Sequence, residues 1–432
     1  MKRILITAMG SHGDVLPFLS MAAEFRRRGF EVFIYANPFF ATVAASSGAV
    51  FRPIGAVADY EGLFAQAPDS NPPKAMAAVA GYMARQTPAC YRAMFGDVRP
   101  GRTLVIGGSL FFAHRLVAET LGLPCATVHL APAAIRSTIA PARIGPGGAW
   151  LREQSPFWIR QLFWWLADRA HTDRYFLAPL NGLRAQLGLT PLPELFSPWL
   201  RQVDAEVALF PAWFSGAPAD WPAQLRHCDF PIGDPASAAE LPDELRDFLA
   251  AGPAPVGFTA GTATANAREF FARSARACEQ GGLRGLLLTH FAQQVPDKLP
   301  PGVQHVGYAP YARLLPRLAA LVHHGGIGTT AQALRAGIPQ VVRPTAYDQF
   351  DNARRLVALN VAREILPRRY TENHICNTLA ELMRDTTVRA QCQAIAEQMR
   401  PAAATNAGIA SACEAVLSGC GWPPGTAADP FG

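Results

Sequence analysis

The sequence predicts an α/β protein with two domains, each built on a parallel β-sheet. Short apolar runs of strand length alternate with longer segments whose apolar residues recur at helical spacing, as in parallel sheets covered by helices. The alternation comes in two series, separated by a proline-rich stretch over residues 211–242. With 432 residues, of which 50% are hydrophobic, the chain can bury two cores of ordinary size.

The first series supplies the amino-terminal domain. Residues 3–8 form its first predicted strand, and the helix that follows has Leu16, Leu19 and Ala23 on one face and ends at Gly29. Further strands are predicted at 31–36, 103–108, 126–131 and 206–214, the last of which closes the series.

The second series supplies the carboxyl-terminal domain. Its strands are predicted at 255–262, 285–290, 303–309, 320–325 and 339–344, with helical patterns over 372–420. The predicted organisation is a first domain (1–228), a proline-rich linker (229–254), a second domain (255–398), a helix packing back toward the first domain (399–420) and a tail (421–432). In two-domain α/β proteins of this kind, we expect the ligand in the cleft between the domains.

Charge and cysteine spacing narrow the function classes. The net charge of +6 favours anionic small molecules or an anionic membrane surface as partners. Nucleic acid is not expected, because the longest basic run is Arg26-Arg27-Arg28, at the end of a predicted helix. The eight cysteines lack C-x-x-C spacing, which predicts reduced thiols rather than a zinc site. No apolar stretch approaches the ~18 residues of a membrane span, so we expect a cytoplasmic protein.

The stretch HHGGIGTT, residues 323–330, has the composition of an anion-binding turn. An apolar strand leads into His323 and His324, glycines follow, and Thr329 and Thr330 open a helix. Glycines let a ligand approach the backbone, and a helix start offers free N–H groups and a positive dipole end. We therefore predict a pyrophosphate site. The alternative is that the glycines only allow close helix–strand packing, with both histidines as hydrogen-bonded polar groups at a strand end.

The same stretch also fits a dinucleotide fingerprint. Gly326, Gly328 and Ala331 match G-x-G-x-x-A, and Asp348 follows about twenty residues later. Against this interpretation, the motif lies in the second half and follows two histidines, and Asp348 comes after a proline-containing loop. An NAD(P)-dependent oxidoreductase is therefore a distant alternative.

Three segments together resemble the donor signature of the UDP-glycosyltransferase family, two-domain enzymes that use nucleotide-diphosphate sugars. They are Tyr308-Ala309-Pro310, His324-Gly325-Gly326 and Asp348-Gln349. The resemblance implies the GT-B fold, with two Rossmann-like parallel-sheet domains facing a central cleft. It also implies that Tyr308 stacks on the base and that the Ala309 backbone bonds the edge of the base. Tyr308 replaces the tryptophan of plant members, and Tyr311 replaces a usual glutamine.

For the diphosphate and the sugar, the resemblance assigns two further groups of residues. His324 and the helix start at Gly326, Gly328, Thr329 and Thr330 would hold the diphosphate, together with a phosphate loop at Gly261 and Thr262. Asp348 and Gln349 would bind the sugar hydroxyls.

The segment GSHGDVLP, residues 10–17, resembles the G-S/T-x-G-D-V-x-P loop of antibiotic, sterol and lipid glycosyltransferases, where this loop holds the general base. Asp14 is then the expected base, which takes the proton of the acceptor hydroxyl as the diphosphate leaves. His12 is the second candidate, and Ser11 and His12 alternatively contact the donor phosphates. From the residues alone, Asp14 is also a good N-cap of a helix whose first turn is Val15 to Pro17, a role that is compatible with catalysis.

One base and one displacement predict inversion at the anomeric carbon. A retaining route through a covalent intermediate needs a second carboxylate, for which the sequence offers no candidate. No metal ion is implied, because a helix dipole and a histidine can stabilise the leaving diphosphate. Besides the nucleotide-sugar co-substrate, no cofactor is expected.

The acceptor site is predicted from a tryptophan-rich helical segment. Trp158, Leu162 and Trp165 share a helical face that is interrupted by Arg152, Arg160 and Arg169. This face suits core packing, an apolar acceptor tunnel, or an interfacial helix that loads a lipid from the inner leaflet of the membrane.

Over nearly its full length the chain also resembles the rhamnosyltransferases of rhamnolipid synthesis, through the phrases LFPAWF, DWP, FTAGT and YDQFDNARRL. This implies transfer of L-rhamnose from dTDP-L-rhamnose, or of glucose from UDP-glucose, to a 3-(3-hydroxyalkanoyloxy)alkanoic acid. The implied partners are the enzyme that makes this lipid and the inner membrane, to which the protein would attach peripherally. A sterol, polyketide or other apolar acceptor is the main alternative. A nucleotide-sugar epimerase and a non-catalytic lipid-binding protein also remain open.

Overall fold

The computed structural model describes residues 1–66, 72–147, 154–196, 198–232, 240–262, 264, 266–405 and 407–423. Among the predictions above, those for Arg152, for residues 233–239 of the linker and for residues 424–432 of the tail lie outside the described residues. The chain divides into two compact units. The first comprises Met1–Ala142, Gly148–Pro231 and Gly408–Gly432, and the second comprises Arg143–Gly147 and Ile232–Ala407.

The first unit is built on a seven-stranded parallel sheet with strand order β3-β2-β1-β4-β5-β6-β7. Its strands are β1 Arg3–Thr7, β2 Glu31–Ala36, β3 Val50–Pro53, β4 Thr103–Gly108, β5 Cys125–His129, β6 Ala205–Ala208 and β7 Leu225–His227. The central strands are apolar at nearly every position because helices bury both faces of the sheet.

The helices of the first unit connect these strands. They are His12–Arg27, Ala41–Ala45, Val57–Gln66, Pro72–Asp97, Ala113–Leu121, Phe157–Ala167, Arg174–Gln186 and Ala212–Ser215. The helix Ala407–Gly419 returns to this unit, where Ile409, Cys413 and Val416 are buried against the strands of one face.

The second unit is built on a six-stranded parallel sheet with strand order β10-β9-β8-β11-β12-β13. Its strands are β8 Val256–Thr259, β9 Gly285–Leu288, β10 Val303–Val306, β11 Ala320–His323, β12 Gln340–Val342 and β13 Ala362–Glu364. Its helices are Asp243–Ala250, Arg268–Gly281, Tyr311–Leu314, Ile327–Ala336, Gln349–Ala358, Glu372–Arg384 and Thr386–Thr405.

The predicted fold class is confirmed, with three differences at the sheet edges. The last strand of the first series is Leu225–His227 and not 206–214, because β6 ends at Ala208 and a short helix follows Pro211. The prediction also lacked Val50–Pro53 in the first unit and Ala362–Glu364 in the second. These edge strands are three or four residues long and each pairs on one side only, so none needs the apolar run that marks a central strand.

Candidate active site

In the first unit, the turn that follows β1 places a carboxylate at a helix start. The helix begins at His12, three residues earlier than the capping interpretation of Asp14 required, since that interpretation placed the first turn at Val15 to Pro17. Ser11 is therefore the N-cap, and Asp14 is the third helical residue. The Asp14 carboxylate folds back and accepts hydrogen bonds from the backbone N–H and the hydroxyl of Ser11, both at 2.8 Å. The reciprocal arrangement is a capping box, in which Asp14 takes the place of the usual Glu or Gln.

Gly10 makes room for this carboxylate. Its φ of 130° lies in the region that favours glycine, and a Cβ at this position would lie 2.5 Å from Asp14 Oδ2. Gly13 is under no such constraint, since the nearest atom to a Cβ there would be Ser11 Oγ at 3.6 Å.

The surroundings of Asp14 favour proton transfer. Burial raises the pKa of Asp14 above its ordinary value, although the two hydrogen bonds from Ser11 oppose this effect. A carboxylate with a raised pKa is a stronger base than one at the protein surface. The imidazole of His12 packs edge-on against Phe39 and Phe40, with ring centroids 5.5 and 5.1 Å apart, so two aromatic rings fix its orientation.

In the second unit, the turn that follows β11 contains both predicted histidines, but only one is available to a ligand. His323 Nδ1 accepts a hydrogen bond from the Gly325 N–H at 3.1 Å, and its Nε2 lies 2.9 Å from Gln340 Oε1. Both ring nitrogens are therefore used within the protein. His323 is buried, and this burial lowers its pKa to about 3. It fixes the turn and remains neutral.

His324 differs from His323 because its ring lies against two glycines. A Cβ on Gly261 would lie 2.6 Å from His324 Cε1, and a Cβ on Gly326 would lie 2.3 Å from His324 Nε2. The structure thus brings Gly261, His324 and Gly326 together, as the family resemblance implied. Burial lowers the pKa of His324 to about 4, and its Nδ1 has no hydrogen-bond partner within the described part of the chain.

The helix Ile327–Ala336 starts at this turn with Gly326 as its N-cap. The Thr330 N–H already donates to Gly326 O at 2.9 Å, so the backbone contact implied for Thr330 is not available. Its hydroxyl is buried instead, and among the described residues it has no partner. Gly328 and Thr329 belong to the first turn, where helical geometry leaves N–H groups without an intrahelical acceptor. These groups and the dipole favour an anion.

The Asp-Gln pair follows β12 at the start of another helix. Asp348 is the N-cap of Gln349–Ala358. The Gln349 side-chain carbonyl accepts from the Thr345 N–H at 2.8 Å, from the Thr345 hydroxyl at 3.0 Å and from the Ala346 N–H at 3.1 Å, which orders the loop. In a dinucleotide fold the acidic residue follows the second strand of the motif, whereas Asp348 lies at a helix start, which argues against that fingerprint.

Asn352 is a site residue that the sequence analysis missed. Its side-chain amide is fully buried and donates to Gly325 O at 2.9 Å and to Asp348 Oδ2 at 2.8 Å. It therefore joins the predicted diphosphate turn to the predicted sugar-binding pair. The spacing of four residues from Asp348 was a local signal, because such residues share a helix face. The contact with Gly325 had no signal in the sequence.

The predicted nucleotide contacts lie in loops after β10 and β8. Tyr308 is 61% exposed, as a stacking platform must be, whereas Ala309 is buried. Gly261 has a φ of 85°, and Thr262 is exposed beside it. Burial raises the pKa of Tyr311, and a hydrogen bond with Thr259 at the end of β8 opposes this effect.

The tryptophan-rich helix, Phe157–Ala167, presents its predicted face to solvent. Trp158, Leu162 and Trp165 are 64%, 49% and 47% exposed, so they do not belong to the core. Trp164 forms the buried side of the helix. Within the described ranges no helix is both long and apolar enough to cross a membrane.

Comparisons with known proteins show the family to which the chain belongs. Residues 4–139 match the glycosyltransferase family 28 N-terminal domain, and residues 286–416 match the C-terminal domain of erythromycin biosynthesis protein CIII-like proteins. The O-mycaminosyltylonolide 6-deoxyallosyltransferase of Streptomyces fradiae is 30% identical over 426 residues, which are 95% of this chain and 96% of that protein. Glycosyltransferase GtfE of Amycolatopsis orientalis is 31% identical, over 83% of this chain and 85% of its own.

Solved structures show the same fold. The glycosyltransferase of kitacinnamycin superposes with a TM-score of 0.73 at 19% identity, covering 97% of this chain and 99% of its own. Glycosyltransferase VinC, solved in complex with dTDP, superposes with a TM-score of 0.64 at 22% identity, covering 95% of this chain and 99% of its own.

Proposed function

Because the chain belongs to the two-domain GT-B glycosyltransferases, which transfer a sugar from a nucleotide sugar, we propose that it glycosylates a hydroxyl of a large apolar, polyketide-like acceptor. Transfer inverts the anomeric carbon and needs no metal ion. The observation on which this proposal rests is the partly buried Asp14 carboxylate with a raised pKa, held at a strand-to-helix turn by Ser11.

In the proposed reaction, Asp14 takes the proton from the acceptor hydroxyl as its oxygen attacks the anomeric carbon. The bond from this carbon to the diphosphate oxygen breaks on the opposite side. His12 is the second candidate for the base, because its orientation is fixed beside the same turn.

For the donor, we propose a dTDP-sugar or a UDP-sugar held by the turn after β11. His324 Nδ1 and Thr330 Oγ1 are buried polar atoms, and no described residue bonds them, so a diphosphate oxygen can supply the missing partner. Tyr308 stacks on the base, and Asp348 with Gln349 binds the sugar. The relative solved with dTDP supports the thymidine nucleotide.

For the acceptor, the relatives favour a natural product over a lipid. Their names refer to erythromycin biosynthesis, to O-mycaminosyltylonolide and to the vancomycin aglycone. The exposed face of Trp158, Leu162 and Trp165 suits the apolar side of such a molecule.

The same exposed face favours a second candidate, a hydroxy fatty acid dimer delivered from an anionic membrane surface. The helix Phe157–Ala167 contains Arg160 and no acidic residue, and the Arg169 guanidinium lies 4.5 Å from the Trp165 ring centroid. In this case the product is a rhamnolipid or a glucolipid.

Product mass spectrometry tests both candidates. Purified protein is incubated with dTDP-glucose, dTDP-L-rhamnose or UDP-glucose, and with either a macrolide aglycone or a 3-hydroxyacyl dimer. We expect a hexose or deoxyhexose adduct of the macrolide from one donor, lost in an Asp14→Asn variant. An adduct of the 3-hydroxyacyl dimer alone would establish the lipid candidate. Sugar turnover without any acceptor would indicate an epimerase, and failure of all three nucleotide sugars to bind would contradict the donor site.

A further inference from the structure

In the first unit, the carboxyl ends of β4 and β5 bring together a serine and a histidine that the proposed reaction does not use. Ser109 follows β4, His129 ends β5, and Ser109 Oγ lies 2.8 Å from His129 Nδ1. Strand β4 also pairs with β1, whose carboxyl end leads into the turn of Asp14. The Ser109–His129 pair therefore lies at the same sheet edge as the proposed general base.

The helix that contains Asp14 supports this placement. A Cβ on Gly108, the last residue of β4, would lie 3.7 Å from the ring of Phe18. Asp14 precedes Phe18 by about one helical turn, toward the carboxyl edge of the sheet. Ser109 extends beyond Gly108 toward this same edge, where ligands of open α/β sheets bind.

The protonation of His129 follows from its burial. The residue is 8% exposed, and burial lowers its pKa to about 4, with a smaller contribution from the charge of Arg201. The ring is therefore neutral, with one N–H donor and one acceptor nitrogen. Its Nε2 is buried and has no hydrogen-bond partner among the residues that the structure describes.

The tautomer can be assigned from this difference between the two nitrogens. Buried backbone N–H groups are left without an acceptor less often than buried carbonyl oxygens are left without a donor, and we extend this preference to the two ring nitrogens. The proton therefore belongs on Nδ1 of His129, which donates it to Ser109 Oγ. As a result, the hydroxyl hydrogen of Ser109 points away from the imidazole. Ser109 is also partly exposed, so a ligand can reach its hydroxyl.

We infer that the Ser109 hydroxyl donates a hydrogen bond to a second oxygen of the acceptor, next to the hydroxyl that attacks the sugar, and that His129 positions it. This inference rests on the proposed function. A donor on the attacking oxygen would withdraw electron density from the nucleophile, so the useful partner is a neighbouring oxygen. A β-hydroxycarbonyl compound, a unit that hydroxy fatty acids contain and that polyketides commonly contain, offers such a second oxygen.

The test compares two acceptors that differ in the second oxygen, methyl 3-hydroxydodecanoate and a plain secondary dodecanol. For each, kcat/KM is measured with the nucleotide sugar that supports transfer, and the equilibrium affinity is measured by tryptophan fluorescence in the presence of dTDP. We expect the wild-type protein to favour the ester about tenfold in both measurements, the size of one hydrogen bond. In Ser109→Ala this ratio should fall to near one, and in Ser109→Thr, which keeps a hydroxyl, it should be retained.

Two variants of His129 separate positioning from folding. The amide nitrogen of His129→Asn lies close to the position of Nδ1 and can still donate to Ser109, so the ratio should persist, whereas in His129→Leu it should fall. An unchanged ratio in Ser109→Ala, or an equal fall in Ser109→Thr, would overturn the inference. If no acceptor is glycosylated, the proposed function fails. The ratio of the affinities for the ester and the alcohol then still decides whether Ser109 donates a hydrogen bond to the second oxygen.

Discussion

Two turns, one in each unit, lead from a buried strand into a helix through a glycine with positive φ. After β1, Gly10 has a φ of 130°, and after β11, Gly325 has a φ of 90°. Both helices have a glycine as their second residue, Gly13 and Gly328. The third residue differs, since it is Asp14 in the first turn and a threonine in the second.

This difference, together with the change of N-cap from Ser11 to Gly326, reverses the electrostatics of the two helix starts. In the first turn, the Asp14 carboxylate occupies the positive end of the helix dipole and bonds the N-cap residue, Ser11. After β11, the first four residues of the helix Ile327–Ala336 include no acidic residue. The N-cap of this helix is Gly326, which has no side chain to bond the free N–H groups. The first turn therefore keeps a proton acceptor in place, whereas the second leaves its positive end to an external anion.

The largest effect is expected from removing the charge of the first turn by Asp14→Asn. General bases contribute about 100- to 10,000-fold to rates, so kcat should fall by this factor while dTDP affinity stays within about twofold. The wild-type kcat should also fall as the pH decreases through the pKa of Asp14, which lies above its ordinary value, and this limb should be absent from the variant. Steady-state kinetics across pH and dTDP titration measure these effects.

Stability provides the control for this variant. Because the folded-state pKa of Asp14 is raised, its ionised form costs free energy at neutral pH; this cost decreases as the pH falls through the raised pKa and is gone below the ordinary pKa of an aspartate. Asp14→Asn should therefore melt at the same temperature as the wild type or higher at pH 7. A lower Tm together with normal kcat would mean that Asp14 is a structural cap only.

The Thr329→Asp substitution gives the second turn an acidic residue at the position of Asp14 in the first turn, and it should strongly weaken anion binding there. Two like charges about 5 Å apart repel by roughly 3 kcal/mol at an effective dielectric constant of 20, which corresponds to about a hundredfold loss of dTDP affinity. Thr329→Asn is the matched neutral control and should bind within about threefold of the wild type. Equal losses in both variants, measured by calorimetry, would show that bulk and not charge is responsible.

Much of both turns could be predicted from the sequence because their geometry is local. In each turn, a glycine that must adopt positive φ, a histidine and a helix start lie within a few residues of one another. The motif can therefore be recognised in the sequence without knowledge of the tertiary structure. Even here the helix start was misplaced by a few residues. Whether Ser11 or Asp14 caps the helix depends on a carboxylate rotamer, which residue types alone do not determine.

The contacts that could not be predicted join residues distant in the chain. Asn352 bonds Gly325, 27 residues away, and Ser109 bonds His129, 20 residues away. Each contact exists because two strands are neighbours in the sheet or because a helix packs against a turn, and strand order is a tertiary property. The edge strand Leu225–His227 was missed for a related reason, since its pairing partner and not its composition makes it a strand.

The glycine of the first turn provides a further comparison, between Gly10→Ala and Gly13→Ala. A Cβ at Gly10 would overlap Asp14 Oδ2 at 2.5 Å in a strained backbone conformation, so we expect a loss of about 1–3 kcal/mol in unfolding free energy and a loss of transfer activity. Gly13 is exposed and helical, so alanine there should be neutral or stabilise by up to about 1 kcal/mol. Equal destabilisation of the two variants in urea titrations would contradict the fold-back of Asp14.

The smallest effect is expected from Thr330→Val, which removes one hydroxyl from the second turn and leaves the side-chain shape intact. That hydroxyl is buried and has no partner in the described chain, so its loss should raise the unfolding free energy by about 1 kcal/mol. A bound diphosphate would supply the missing partner, so the same change should weaken dTDP binding about tenfold. Thermal melts with and without dTDP measure both effects in one experiment. Without dTDP, the variant should have a higher Tm than the wild type, and adding dTDP should raise its Tm by less. If it gains as much as the wild type, the hydroxyl does not contact the diphosphate, and the anion site would consist of His324 and the backbone N–H groups.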